Sequence, residues 1–247
     1  MQYKRLGGRG VVFSFSELDQ TNILTIYGDS FTYICDTFLG PKPMEEIKKI
    51  IIKDGRKQPI IVFNSHSDWD HVWGNCAFDQ SIIISHEQCR NNLENNFYKE
   101  YSDNCKYAMG EINPKFPNLI FKERLTFPDD ELEFFYTPGH TNDSSSCFDT
   151  KNGVLYVGDN VEYPIPYIQS SDLTSYIITL KQYIDLAPKF IVTGHGNDAT
   201  MDLVVSNLDY ITELLAGEAM DDYTWSKEQK ERHRLNLDFL QKKQNRP

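Results

Sequence analysis

The stretch Ile60-Ile61-Val62-Phe63-Asn64-Ser65-His66-Ser67-Asp68-Trp69-Asp70-His71 decides how the rest of the chain reads. Four consecutive β-branched or aromatic residues predict a short buried strand, and the polar run behind them places two imidazoles and two carboxylates within six residues. The same order of apolar strand, glycine, then imidazole or carboxylate returns three times. Leu132 to Thr137 runs through Gly139 into His140, Val154 to Val157 through Gly158 into Asp159, and Phe190 to Thr193 through Gly194 into His195. Loops at strand ends are where a rigid sheet presents functional side chains, and glycine lets the backbone turn tightly there. Four imidazoles and three carboxylates gathered in one pocket are costly unless cations compensate them, whereas two divalent ions would use all seven as ligands. His66, Asp68, Asp70, His71, His140, Asp159 and His195 are therefore candidate metal ligands. His86 and His233 lie outside the pattern and are expected to be structural or surface residues.

Outward from these motifs the sequence alternates strand and helix signals. Val11 to Phe15, Asn22 to Tyr27 and Phe31 to Cys35 read as a meander of short strands. A helix opens at Pro43, carries Met44, Ile47 and Ile51 at helical spacing, and stops at Asp54-Gly55 before the Ile60 strand. The polar, aromatic stretch from about Ser85 to Lys122 reads as helix plus loop. Leu173, Ile177, Leu180 and Ile184 share one face of a helix begun by Ser171 and Asp172, and Met201 to Leu215 repeats the signal. From about Gly217 the chain is charged and predicts a helical tail carrying Trp225, Leu235, Phe239 and Leu240, either packed on its own domain or serving as a lid or a homodimer contact. No repeat or linker divides the 247 residues, so one α/β domain is expected over 1–247.

Composition narrows the function classes. Asp and Glu total 36 against 25 Lys and Arg, and a net charge of -11 repels nucleic-acid phosphates and anionic membrane surfaces. No apolar run is long enough to span a membrane and no secretory signal opens the chain. Five cysteines without a CxxC pair suit a reducing compartment, so a cytoplasmic location with a small-molecule substrate is expected.

These motifs resemble the metallo-β-lactamase superfamily. His66-Ser67-Asp68-Trp69-Asp70-His71 is similar to its HxHxDH signature, Thr137-Pro138-Gly139-His140-Thr141 to its third motif, Val157-Gly158-Asp159 to its bridging carboxylate and Thr193-Gly194-His195-Gly196 to its last histidine. The intervals of 69, 19 and 36 residues from His71 through His140 and Asp159 to His195 also look like those of its hydrolases. The resemblance implies a four-layer αβ/βα sandwich with a dinuclear site. One ion would be held by His66, His140 and Asp68, the other by Asp70, His71 and His195, with Asp159 bridging. It implies hydrolysis of a small-molecule ester, thioester or lactone by a metal-bound hydroxide that Asp70 orients, as in hydroxyacylglutathione hydrolases and lactonases. Trp69, Trp73, Tyr163 and Tyr167 lie beside the ligand loops and are candidate substrate-binding walls.

Asp68 departs from the signature, which has histidine there. With three carboxylates and a bridging hydroxide, four negative charges face the four positive charges of two divalent ions. The extra carboxylate should weaken Lewis acidity and shift preference from zinc toward iron or manganese. Asp68 could instead stand behind the ligands and orient His66 or His140. Flavodiiron proteins, another branch of the superfamily, carry Glu at this position, which makes a di-iron redox enzyme the alternative. A non-catalytic metal-holding module is a third reading.

Overall fold

A computed structural model describes residues 1–18, 20–217 and 224–244. In chain order, β1 (Gln2–Leu6), β2 (Gly10–Phe15), β3 (Thr21–Tyr27) and β4 (Thr32–Cys35) form an antiparallel meander. Helix α1 (Pro41–Lys53) crosses to β5 (Ile60–Phe63), which pairs parallel with β4. The short α2 (Trp69–Val72) leads to β6 (Ile82–His86), and α3 (Glu87–Asn104) to β7 (Leu119–Phe121), both strands continuing the sheet in parallel. Then β8 (Arg124–Phe127), β9 (Leu132–Tyr136), β10 (Ser145–Asp149) and β11 (Val154–Tyr156) pair antiparallel. After α4 (Leu173–Leu186), β12 (Phe190–Val192) adds parallel to β11, and α5 (Met201–Ala216) and α6 (Lys227–Gln244) follow. Among the described residues the strands form two sheets, of seven and five.

Side-chain alternation along the strands builds the layers. Val12, Tyr33, Cys35, Ile61, Phe63 and Ile84 of the first sheet meet Leu132, Phe134, Cys147, Tyr156 and Val192 of the second in a buried core between them. Their neighbours Val11, Phe13, Ile34, Val62 and Ile83 face outward onto Met44, Ile47 and Ile51 of α1. On the other side Phe135, Leu155 and Ile191 face Tyr176, Leu180, Val204 and Ile211 of α4 and α5. Helix, sheet, sheet, helix is the expected four-layer sandwich.

The sequence reading differs from the structure in places. Helix α1 starts at Pro41, two residues before the expected Pro43, because prolines suit the first turn where no intrahelical N–H bond is needed. The 85–122 stretch contains helix α3 but also the strand β7, and β6 ends within it at His86. Strands β1, β8 and β10 lie in polar segments that carry no apolar run. The tail expected to be helical from about 217 has its described helix at Lys227–Gln244, while 218–223 lie outside the described residues. Trp225, Phe239 and Leu240 pack against the α4 and α5 layer of their own chain.

Candidate metal centre

The candidate ligands stand on loops leaving the carboxyl ends of β5, β9, β11 and β12. Backbone bonds close the two sheets around them: Asn22 N–H donates to Gly194 O at 2.7 Å, and Ser145 N–H to Ser65 O at 2.8 Å. After β5, the turn through Asp68 nucleates α2, where His71 N–H donates to Asp68 O at 3.0 Å and so aligns Asp70 and His71 on one turn. Two glycines are required here by space. Gly158 has φ +54 and any Cβ on it would press on Ser65, while a Cβ on Gly194 would collide with the Asp159 carboxylate.

The seven residues come together in two groups. His66, Asp68 and His140 form one, with Asp68 Oδ2 3.6 Å from His66 Nε2 and 3.5 Å from His140 Nε2. Asp70, His71 and His195 form the other, with Asp70 Oδ2 3.2 Å from His195 Nε2 and 3.9 Å from His71 Nε2. Asp159 Oδ2 lies between the groups, 3.3 Å from His71 Nε2, 3.5 Å from His195, 3.8 Å from His66 and 4.0 Å from His140. Donor atoms ~2.1 Å from a tetrahedral ion lie ~3.4 Å from one another, which is the spacing seen in both groups. His66 Nε2 and Asp159 Oδ1 are buried with no hydrogen-bond partner among the described residues, as ligand atoms are before a metal reaches them. The donor set of imidazole and carboxylate fits a divalent cation.

The far ring nitrogens are fixed by other groups, which turns each Nε2 toward the centre. His71 Nδ1 contacts Asp36 Oδ2 at 2.8 Å, His66 Nδ1 contacts Ser65 Oγ at 2.9 Å, His140 Nδ1 donates to Tyr167 O at 3.0 Å, and His195 Nδ1 lies 3.3 Å from Thr21 Oγ1. Asp36 is fully buried and also accepts from Ser65 N–H, Ser65 Oγ and Tyr156 Oη. The sequence reading missed it. Its signal is the one used elsewhere, an acid directly after an apolar strand, here β4. Gln169 was also missed: its Nε2 donates to Asp68 Oδ2 at 2.9 Å.

Electrostatics reflects the crowding. Burial raises the Asp68 carboxyl, but the imidazoles of His140 and His66, 3.5 and 3.6 Å away, outweigh it and hold it well below the usual range. Burial likewise opposes, and the charges of His71 and His195 overcome it, to hold Asp159 well below that range. Burial lowers His140 and His195, yet Asp68 and Asp159 push His140 up to about 10, and Asp159 and Asp70 push His195 up to about 9. A divalent ion would displace the protons that the carboxylates favour on His71, His140 and His195.

The centre lines a cleft of about 860 Å³, with Trp69, Tyr163 and Tyr167 in its wall. Trp73, expected beside them, is placed elsewhere. It is 1% exposed and packs beneath Trp69 against Cys89, Leu93 and Phe97 of α3. His86 and His233 stand apart from the centre: His86 caps α3 and stacks on Tyr136 with ring centroids 3.9 Å apart, and His233 contacts Tyr210 Oη at 3.0 Å.

The family model described as Metallo-beta-lactamase superfamily matches residues 17–195. In structure the chain is similar to the DIM-1 metallo-beta-lactamase, at 15% identity and TM-score 0.72 over 86% of this chain and 97% of that one. A metallo-beta-lactamase from Pontibacter korlensis gives 16% identity and TM-score 0.68 over 85% and 98%. FIM-1 from Pseudomonas aeruginosa, in its mono-zinc form, gives 16% and 0.66 over 86% and 95%. No curated protein sequence matches the chain. At such identities the structural likeness shows the fold, while the family match extends over most of the chain and ends on His195. This chain belongs to the metallo-β-lactamase superfamily.

Proposed function

We propose that the chain is a metal-dependent hydrolase that opens a small-molecule ester, thioester or lactone at a dinuclear site. The observation that carries this reading is the position of Asp159 Oδ2 within 3.3 to 4.0 Å of four converging imidazole nitrogens on the floor of an open cleft. His66, His140 and Asp68 would hold one ion, Asp70, His71 and His195 the other, and Asp159 both. When bound, two divalent ions, zinc first and iron or manganese as alternatives, would polarise the scissile carbonyl and make water acidic enough to attack it. Asp70 would orient the attacking water, and Trp69, Tyr163 and Tyr167 would hold the substrate body.

The carboxylate of Asp68 beside His66 and His140 favours hard metals and supports the second reading, di-iron redox chemistry. No described helix is long and apolar enough to cross a membrane, and all five cysteines are free, which supports a reducing, cytoplasmic setting. The test is a screen of esters, thioesters and lactones against protein loaded separately with zinc, manganese and iron. Hydrolysis that disappears in Asp159→Ala is expected. Absence of hydrolysis with every metal, together with oxygen consumption by the iron form, would overturn the proposal in favour of the redox reading.

A further inference from the structure

Helix α6 forms part of the cleft wall, with Glu228, Arg232, Leu235 and Asn236 in the lining. Beside it run residues 157–172, which join β11 to α4 and form neither helix nor strand. A segment without a backbone ladder keeps one conformation only where other groups bind its N–H and C=O. Two side chains of α6 do this. Asn236, 1% exposed, accepts from Ile168 N–H at 3.0 Å and donates to Pro166 O at 2.8 Å. Arg232 Nη1 donates to Ile165 O at 2.8 Å and to Tyr163 O and Glu162 Oε2, both at 3.2 Å, and the guanidinium lies 4.2 Å over the Tyr167 ring. Four residues apart, the two side chains leave one face of the helix.

The same loop grips one of the two ligand groups. Tyr167 O accepts from His140 Nδ1 at 3.0 Å, Gln169 N–H donates to His140 O at 2.8 Å, and Gln169 Nε2 donates to Asp68 Oδ2 at 2.9 Å. Tyr167 and Gln169 flank Ile168, the residue whose N–H Asn236 holds. The other group rests on different parts of the fold. His71 Nδ1 meets Asp36, directly after β4, and His195 Nδ1 meets Thr21 of β3. A disturbance of α6 therefore reaches His140 and Asp68 by way of the loop and has no such route to His71 and His195.

We propose that Arg232 and Asn236 are positioning residues for one ion site: α6 holds the loop 163–169, and the loop holds His140 and Asp68. Only the effect on metal rests on the ligand assignment of the hydrolase reading. The test compares Arg232→Met and Asn236→Ala with Leu240→Ala, which removes packing from the same helix but none of these bonds. Zinc is titrated into the full chain against a chromophoric chelator, and His140→Ala and His195→Ala assign the two binding steps. The step of His66, Asp68 and His140 should weaken about tenfold or more in Arg232→Met and Asn236→Ala, and stay within about twofold in Leu240→Ala; the other step should stay within about twofold in all three. The milder Arg232→Lys, which keeps the charge but not the planar fork, should show the same selectivity at smaller size. Both steps weakening alike, or neither changing, overturns the proposal. Amide exchange on chelator-stripped protein separates the two readings. The N–H groups of Ile168 and Gln169 should exchange about tenfold faster in Arg232→Met and Asn236→Ala, while Gly194 N–H, bonded to Gly158 O at 2.7 Å beside the other site, exchanges as in the parent. Faster exchange in the variants of a parent that binds no zinc leaves the positioning role standing and removes the ligand assignment; unchanged exchange with a parent that binds two ions does the reverse.

Discussion

Replacing Asp36 by Asn keeps the side chain's size and removes its charge, which isolates what that carboxylate does for His71. In the structure Asp36 Oδ2 receives Ser65 Oγ at 2.6 Å, Tyr156 Oη at 2.7 Å and His71 Nδ1 at 2.8 Å, while Oδ1 receives Ser65 N–H at 2.7 Å. The amide must point its NH₂ at one of these ends. The cheaper choice faces the single Ser65 N–H and leaves two buried donors opposed, at about 1–3 kcal/mol. The other three bonds lose their ionic partner, at about 1 kcal/mol each. A total of about 4–6 kcal/mol corresponds to a fall in Tm of roughly 8–24 °C for a chain of this size. Because Asp36 fixes the ring that presents Nε2 to the centre, zinc affinity should fall about 10- to 100-fold. Thermal unfolding of chelator-stripped protein and zinc competition against a chromophoric chelator measure the two effects. A variant that melts within about 2 °C of the parent and binds zinc equally well would refute the orienting role.

Further outcomes follow from the same contacts. Asp68→His, which restores the common signature and removes a negative charge, should favour zinc over manganese, read from competitive metal uptake; an unchanged preference would place Asp68 outside the ligand set. His86→Ala should retain metal yet lose about 1–3 kcal/mol, because it removes the α3 cap, the bond to Lys122 O and the stack on Tyr136, as urea unfolding would show. Asp130 should dominate part of the acid transition. Burial raises it, but the N–H of Ser30, the Tyr33 hydroxyl and the N–H groups of Asp29 and Phe31 hold it below its unfolded value near ~3.9. Its stabilisation is therefore present above that value and lost as pH falls through the lower folded one, so Asp130→Asn should be less stable at neutral pH and show a shallower loss between about pH 5 and pH 2.

Much of this site was legible because each ligand follows a glycine or short turn after an apolar strand, a local pattern that needs no tertiary information. His66, His140, Asp159 and His195 are of this kind. What the sequence left open depends on distant pairing. The polar β10, Ser145–Asp149, is a strand because β9 and β11 flank it and Ser146 Oγ meets Tyr183 Oη at 2.6 Å, a partner 37 residues away. Trp73 looked like a cleft residue because it neighbours Asp70 and His71, whereas in space it packs beneath Trp69 against α3.

Metal stoichiometry tests the central claim most directly. Protein stripped with chelator, dialysed against zinc and freed of excess should hold two ions per chain by elemental analysis, and Asp159→Ala should hold one or none. Melting of the parent should rise with zinc, by about 2.7 kcal/mol of stabilisation at a concentration 100 times Kd. A parent chain that stays metal-free with zinc, manganese and iron, and melts at the same temperature with and without them, would contradict the account.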